Sequence, residues 1–335
     1  MKISPRVTIA ASLRAFVVAA IAAFAALPVP CAAAADDYPS HPVKIVVPFA
    51  AGGPADIYAR FIAQRLQQTL KQSFIVDDQP GAGSIIGTEY VAKSDPDGYT
   101  LLLMSNTQTV NESLFSKKPY ALMRDFTAVA PINYSDLVLV VKPSLPVASV
   151  ADLIKLAKSK PGVLNFASSG PGTPYHMAGE LFKSMAGVDI QHIPYKGSSG
   201  ARNDLLGGQV DMMFDAVPTM AGFVASGKVR ALATTGKTRS KVLPDVPTVS
   251  EAGVPGYDAV IWLGLIAPAK TPPAVIAKLN AAITAIVSEP AVRDAWAKQG
   301  ATPMTMSVAE FTQYLNDDIR KWARVVKISG AKVDE

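Results

Sequence analysis

Apolar positions along this chain come in short β-branched runs that alternate with helical stripes. Val43, Ile45, Val46 and Val47 form one such run, the pattern of a buried strand, and Pro48 ends it. Tyr58, Ile62, Leu66 and Leu70 then recur at every fourth position and predict one apolar face of a helix. Between run and stripe stand Ala50, Ala51, Gly52 and Gly53, four residues with almost no side chain. Pro54 suits a first helical position, where its missing N–H costs nothing. Asp56 falls in the first turn, where a carboxylate suits the positive end of the helix dipole. A strand that feeds a bare loop and then a helix N-terminus offers backbone N–H groups to an anion. A tight connection without any ligand fits the same stretch.

The pattern repeats. Phe74-Ile75-Val76 reads as a strand, and Gln79-Pro80-Gly81-Ala82-Gly83-Ser84 as a second bare loop. A helix from Ile85 to Ala92, a turn at Asp95-Pro96-Asp97-Gly98 and a strand from Tyr99 to Met104 follow. That strand ends in the polar residues Ser105, Asn106 and Thr107. This βαβαβ order predicts a mostly parallel sheet, with ligands bound beyond the carboxyl ends of its strands. Further on, strands are expected at Leu137–Val141, Val163–Ala167, Ile190–Tyr195, Val210–Phe214 and Val229–Thr234. They alternate with helices at Ser149–Lys160, Pro174–Met185 and Ala201–Leu206, and with one opening at Pro218. The loop Ser168-Ser169-Gly170-Pro171-Gly172-Thr173 repeats the opening theme, with Thr173 a good N-cap before Pro174. A last strand, Ile261–Ala267, leads into helices from Pro272 or Pro273 through Val287, at 291–299 and at 308–328, with Trp296 and Trp322 on apolar faces. This helical tract has no sheet of its own to cover except the first. The expected architecture is therefore α/β with two domains, 36–137 plus 262–335 and 138–261, joined by two crossings that make a hinge.

The first 35 residues read as a secretory leader rather than as fold. Lys2, Arg6 and Arg14 form a basic start, Ala15–Leu27 an apolar stretch too short to span a bilayer, and Ala33-Ala34-Ala35 a cleavage signal. Val29 and Pro30 before Cys31 argue against lipid attachment. The leader carries three of the 32 basic residues and none of the 27 acidic ones, so the mature net charge falls from +5 to +2. The single cysteine leaves with it, which excludes a disulfide, a catalytic thiol or a cysteine metal site from the mature chain. No run of Lys and Arg points to nucleic acid.

Catalytic readings find little support. A nucleophile elbow needs G-x-S-x-G, which the chain lacks, although His176 follows the serine-bearing loop closely. His41, His176 and His192 show no metal-ligand spacing. Ala231–Thr238, ALATTGKT, resembles a relaxed phosphate loop, but the residues after it read as loop instead of helix. Gly81, Gly83 and Gly87 miss the dinucleotide spacing. No cofactor is expected. Asp56 and Asp215 remain as titratable groups. Asp215 ends a strand, where it either faces the cleft and accepts a hydrogen bond from a ligand or stands solvated in a loop.

VPFAAGGPADIYAR, PGAGSIIGTEYVA, DGYTLL, SSGPGTPYHMAGELF, IPYKGSSGARNDLLGGQVDMMFD and KVLPDVPTVSEAGVPGY together resemble the tripartite tricarboxylate receptor family, the periplasmic Bug or TctC-type solute-binding proteins. The likeness runs from Tyr38 to the C-terminus with its motifs in order. It implies a type II periplasmic-binding, Venus-flytrap fold. It also implies capture of a small carboxylate between the domains by backbone amides and ordered water, and delivery to a tripartite tricarboxylate-type membrane permease. The chain departs from the family in having Ser84 and Ile85 where a second glycine and another apolar residue are usual, and Ser198-Ser199-Gly200 where a Pro-Ala pair is usual. A ligand site is expected at Phe49, Ala50, Ala51, Gly52, Gly53, Asp56, Gly83, Ser84, Thr107, Ser168, Ser169, Gly170, Thr173, His176 and Asp215. Bulk at Gly52 is expected to block the anion, provided that residue needs no positive φ. The function expected is reversible capture of a small organic anion in the periplasm by a monomer that is not an enzyme. A cleft enzyme acting on carboxylates and a ligand-presenting partner of a membrane sensor are the alternatives.

Overall fold

Three strand–loop–helix steps open the chain. The computed structural model describes residues 37–331, and the expected leader, residues 1–35, lies outside the described residues. β1 (Val43–Val47) leads to α1 (Pro54–Leu70). β2 (Phe74–Asp78) leads through a tight 3-10 turn, Ala82–Ser84, to α2 (Ile85–Ala92). β3 (Thr100–Ser105) leads to α3 (Asn106–Leu114). The last helix is an addition to the sequence reading. Ser105 is its N-cap: its hydroxyl accepts the Thr107 N–H, and Gln108 Oε1 accepts the Ser105 N–H, the reciprocal bonds of a capping box.

β1 pairs with β2 and β3 in parallel, as the alternating order requires. Beyond β3 the expected parallel sheet becomes mixed. β9 (Val260–Pro268) joins β3 antiparallel, and β4 (Phe126–Val141) joins β9 antiparallel. A parallel neighbour needs a crossover connection across the sheet face. β9 instead enters after the long excursion 142–259 and runs against β3.

β4 is three times as long as the apolar run 137–141 suggests. A single helical turn, α4 (Leu122–Asp125), precedes it. Its first part is broken by Pro131 and by register shifts between Ala128 and Ala130 and between Pro131 and Asn133, features that bend a strand and dilute its sequence signal. Through Asp136 it pairs with β9, and at Asn133–Ser135 with a short strand, β10 (Ala301–Pro303). From Leu137 it pairs instead with β7 (Met212–Ala216) and, over Val138–Val141, with β8 (Arg230–Thr234).

The excursion between β4 and β9 carries α5 (Val150–Ser159), β5 (Asn165–Ser168), α6 (Pro174–Ala186), β6 (Gln191–Pro194), α7 (Ser198–Leu206), β7, α8 (Val217–Ala225) and β8. β5 lies parallel between β6 and β7. The sheet order is β2-β1-β3-β9-β4-β7-β5-β6, with β8 and β10 also on β4. Residues 239–259 form no helix, where the phosphate-loop reading would need one directly after Thr238.

Alternate residues of β4 serve two cores, as strand periodicity dictates. Leu137, Leu139 and Val141 pack with Phe166, Phe182 and Phe214, while Val138 and Val140 pack with Ala167, Leu205 and Met213. Near the other end of the sheet, Val46, Leu102, Met104, Trp262 and Ile266 pack with Phe311. The C-terminal helices α9 (Pro273–Ser288), α10 (Pro290–Gln299) and α11 (Val308–Ser329) bury Trp296 and Trp322 as their patterns require. Among the described residues, no single helix is long and apolar enough to cross a membrane.

Candidate functional site

The loops that leave β1, β2, β5 and β6 converge on one cavity of about 400 Å³. Pro48 and Phe49 come from the first loop, Gly81–Ser84 from the second, Ser169–Pro171 from the third, and Tyr195 and Lys196 from the fourth; Phe115 closes a wall. Deeper lies a chamber of about 20 Å³, room for roughly one water molecule. Ala50, Gly53, Ala55, Ser105, Tyr175, Ser198, Ile261 and Leu263 are among its lining. Phe49 and Ser169 line both spaces and so mark the neck between them.

Three helices begin at the inner chamber. α1 contributes Pro54 and Ala55, α6 contributes Pro174 and Tyr175, and α7 contributes Ser198. Each N-terminus concentrates unsatisfied N–H groups and partial positive charge. Gly53 and Ala55 have no partner for their N–H groups among the described residues. Ser169 Oγ is buried and has no hydrogen-bond partner. Helix N-termini and a free hydroxyl around one small space suit an anion.

Of the residues expected from sequence, Phe49, Ala50, Gly53, Gly83, Ser84, Ser169 and Gly170 line one or both spaces. Ala51 and Gly52 sit at the exposed tip of the first loop and line neither. Gly52 takes φ +82°, and its N–H is given to Asp56 Oδ2 at 2.9 Å. The condition attached to a test at Gly52 therefore fails. Ser168, Thr173 and His176 stand behind the third loop and shape it. Ser168 Oγ accepts the Gly170 N–H at 3.1 Å, and Thr173 donates its hydroxyl to the Gly170 carbonyl at 2.7 Å. His176 Nδ1 accepts the Gly172 N–H at 3.1 Å.

The remaining three residues are held away from the cavities. Asp56 bridges the Gly52 N–H and Arg60, closing the first turn of α1. Thr107 is buried in the first turn of α3, where its hydroxyl accepts from Ser105; Ser105 is the β3-end residue that lines the chamber. Asp215 is neither in the cleft nor solvated. It is 0% exposed, accepts the Arg202 Nε–H at 2.8 Å and caps the Ala216 N–H at 2.8 Å. Burial pushes its carboxyl up, and the Arg202 guanidinium opposes that shift.

Sequence reasoning missed Tyr175, Ser198, Tyr195 and Lys196. A signal existed for the last three: Tyr195-Lys196-Gly197-Ser198-Ser199-Gly200 is a fourth strand–bare loop–helix step. This loop touches the first one. The Ala50 N–H donates to the Lys196 carbonyl at 3.3 Å, and Ser199 Oγ donates to the Ala51 carbonyl at 3.0 Å.

Ser84, where the family often has glycine, takes φ +70°, and Ala82 takes φ +46°. Non-glycine residues rarely hold this conformation. Ser84 is retained there by bonds on both sides, its hydroxyl accepting from Gln108 and its carbonyl from Thr88. Among the described residues, no group of His, Cys, Asp and Glu is arranged to hold a metal ion.

Residues 58–331 match the model of the tripartite tricarboxylate transporter family receptor, TctC. Protein BugT of Bordetella pertussis is 40% identical over 301 residues, which cover 89% of this chain and 92% of BugT. The structure of Rpa4515 of R. palustris with adipate superposes with a TM-score of 0.86 at 36% identity, covering 89% of this chain and all of that one. MatC of Rhodopseudomonas palustris with bound malate superposes with a TM-score of 0.83 at 33% identity, covering 86% of this chain and all of that one. The periplasmic binding protein BugD gives a TM-score of 0.83 at 34% identity, covering 88% of this chain and 99% of BugD. With the two-domain α/β fold of these proteins, and a motif order that runs through nearly its whole length, the chain belongs to the TctC, or Bug, family of periplasmic solute-binding receptors.

Proposed function

We propose that the protein captures a small dicarboxylate in the periplasm. One carboxylate sits at the neck between Phe49 and Ser169, and the carbon chain extends into the outer cavity toward Lys196. The observation that carries this reading is the buried, partnerless Ser169 hydroxyl between three helix N-termini. A hydroxyl left without a partner inside a protein costs about 1–3 kcal/mol, and a carboxylate oxygen would satisfy it. Adipate and malate, bound by Rpa4515 and MatC, support the ligand class. The expected division into 36–137 plus 262–335 and 138–261 has its support in the change of β4 partners at Asp136/Leu137. Export through the 1–35 leader, action as a monomer, binding without turnover and delivery to a tripartite tricarboxylate-type permease complete the proposal.

The test is a thermal-shift and calorimetric screen of the mature chain against C4–C8 dicarboxylates, monocarboxylates and amino acids. A ligand at a hundred times its Kd stabilises a fold by about 2.7 kcal/mol. Stabilisation by dicarboxylates, with the bound molecule recovered unchanged by mass spectrometry, is the expected result. Conversion of the ligand by purified protein would favour the enzyme reading. No response to any carboxylate would defeat the ligand class.

A further inference from the structure

His176 and His192 lie outside both cavities, yet they form one stack directly behind the third loop. Their ring centroids are 4.1 Å apart at 25° between planes, and Phe166 continues the stack 4.9 Å from His192. Each ring grips the loop at a different point. His192 Nε2 lies 2.6 Å from Ser168 Oγ, the hydroxyl that also accepts the Gly170 N–H. His176 Nδ1 accepts the Gly172 N–H. Between these anchors stand Ser169 and Gly170, the loop's contributions to the cavity walls.

We propose that His176 and His192 are a positioning pair that holds the Ser168–Thr173 loop in its binding shape only while the His176 ring is neutral, so that strong acid loosens the loop and weakens ligand capture. This rests on the dicarboxylate reading of the same site. The bond geometry sets the sign. An acceptor Nδ1 fixes His176 as the tautomer protonated at Nε2. Adding a proton at Nδ1 turns the acceptor into a donor that faces the Gly172 N–H, and the bond is lost. Two protonated rings at stacking distance also repel each other.

The surroundings keep the rings neutral. Burial is the main cause of a His176 pKa well below the ordinary histidine value, helped by His192 and Lys183. Burial and then Lys183 hold His192 down to about 4. Glu180 is the acidic group near the pair, 3.9 Å from His176 Nε2, but it is engaged by Lys183 at 2.8 Å. Gly170 and Gly172 take φ +122° and +74°, so the loop has bare, permissive joints that depend on outside anchors to stay in one shape.

The experiment measures adipate affinity by calorimetry at pH 7, pH 5 and pH 3.5 for the wild type, His176→Asn and His176→Leu. In parallel, the Gly172 and Gly170 amides of the ligand-free protein are followed by NMR over the same range. Asparagine offers a carbonyl oxygen near the position of Nδ1 but does not titrate. The expected result is affinity within about threefold of wild type at pH 7 for His176→Asn and a loss of tenfold or more for His176→Leu. Adipate's own protonation affects all three proteins alike. The ratio of wild-type to His176→Asn affinity should therefore stay level between pH 7 and pH 5 and fall by at least threefold by pH 3.5, and the Gly172 amide of the wild type should shift over that lower range while that of His176→Asn stays put. Parallel pH profiles, or normal binding by His176→Leu, would overturn the proposal. If adipate binds none of the proteins, the ligand reading fails, and the amide titration alone decides whether the pair holds the loop: a Gly172 amide equally insensitive to acid in both proteins refutes it.

Discussion

Gly53 is a sharper probe of the site than its neighbour Gly52. Gly53 has φ −88° and ψ 172° at the N-cap of α1, a conformation open to any residue. A Cβ built there would stand 3.0 Å from Ser198 Oγ, inside the inner chamber. Gly53→Val should therefore keep its circular dichroism spectrum and lose at least tenfold in dicarboxylate affinity; a folded variant that binds normally would show the chamber to be irrelevant. Gly52→Val tests something else, because φ +82° strains a β-branched residue whether or not a ligand is bound. Ser169→Ala separates the two roles of an unpaired hydroxyl by opposite signs. Stability should hold or rise, since the orphan group disappears. Affinity should fall by about tenfold to a hundredfold, the worth of a charge-assisted hydrogen bond of roughly 1.5–3 kcal/mol. Chemical denaturation and calorimetry on one preparation read both, and unchanged affinity would place the carboxylate elsewhere. At this scale the sequence was legible where a loop carries almost no side chain: Ala50, Gly53 and Gly170, expected from such loops, line the two spaces. It was illegible where the role depends on a distant partner. Nothing near Asp215 in the chain shows that Arg202, on a helix thirteen residues before it, will neutralise it.

Helices and strands were legible in proportion to the contrast of their patterns. α1, α2 and α11 combine periodic apolar faces with clear breaks or caps, and their observed limits fall within a residue or two of those expected. β4 was read at a third of its length because Pro131, Asn133 and Ser135 dilute the run. α3 was missed because its stripe is polar, although Ser105 followed by Gln108 three residues later is a capping signature. α11 also carries a charge where its stripe demands an apolar residue. Asp318 accepts the Thr109 hydroxyl at 2.6 Å and the Trp262 indole N–H at 3.1 Å, which ties the C-terminal helix to α3 and β9. Burial outweighs these bonds and pushes its carboxyl up to about 6. The folded chain therefore binds this proton more tightly than the unfolded one. The contribution to stability is fully present below about pH 4 and is lost as pH rises through about 6, on the order of 2–3 kcal/mol in all. Asp318→Asn keeps an acceptor and removes the titration. Its unfolding free energy should exceed that of the wild type above pH 7, and the gap should close by pH 4. Two stability curves that run parallel from pH 4 to 8 would refute the assignment.

At the scale of the whole molecule, the first and fourth bare loops meet by two hydrogen bonds, Ala50 to Lys196 and Ser199 to Ala51, and the chamber behind them holds only about 20 Å³. In the proposed binding mode, a dicarboxylate reaches the neck when these loops part. The two places where parting can be absorbed are the partner change in β4 at Asp136/Leu137 and the start of β9 at Val260. Both lie at strand positions flanked by different neighbours on either side, where a small rotation of backbone alters few bonds. The loop-to-loop bonds are solvated, and a net hydrogen bond of this kind is worth about 0.5–1.5 kcal/mol. Without ligand, the closed arrangement is therefore weakly favoured at best, and open forms should be populated. Small-angle scattering of the mature chain should show a radius of gyration that falls on saturation with a stabilising dicarboxylate. Ser199→Ala should raise the ligand-free value and lower affinity by a few-fold, because closure loses one of its two bonds while the carboxylate contacts are untouched. An unchanged radius of gyration in a sample that calorimetry shows to be saturated would rule out the hinge, whatever the affinity.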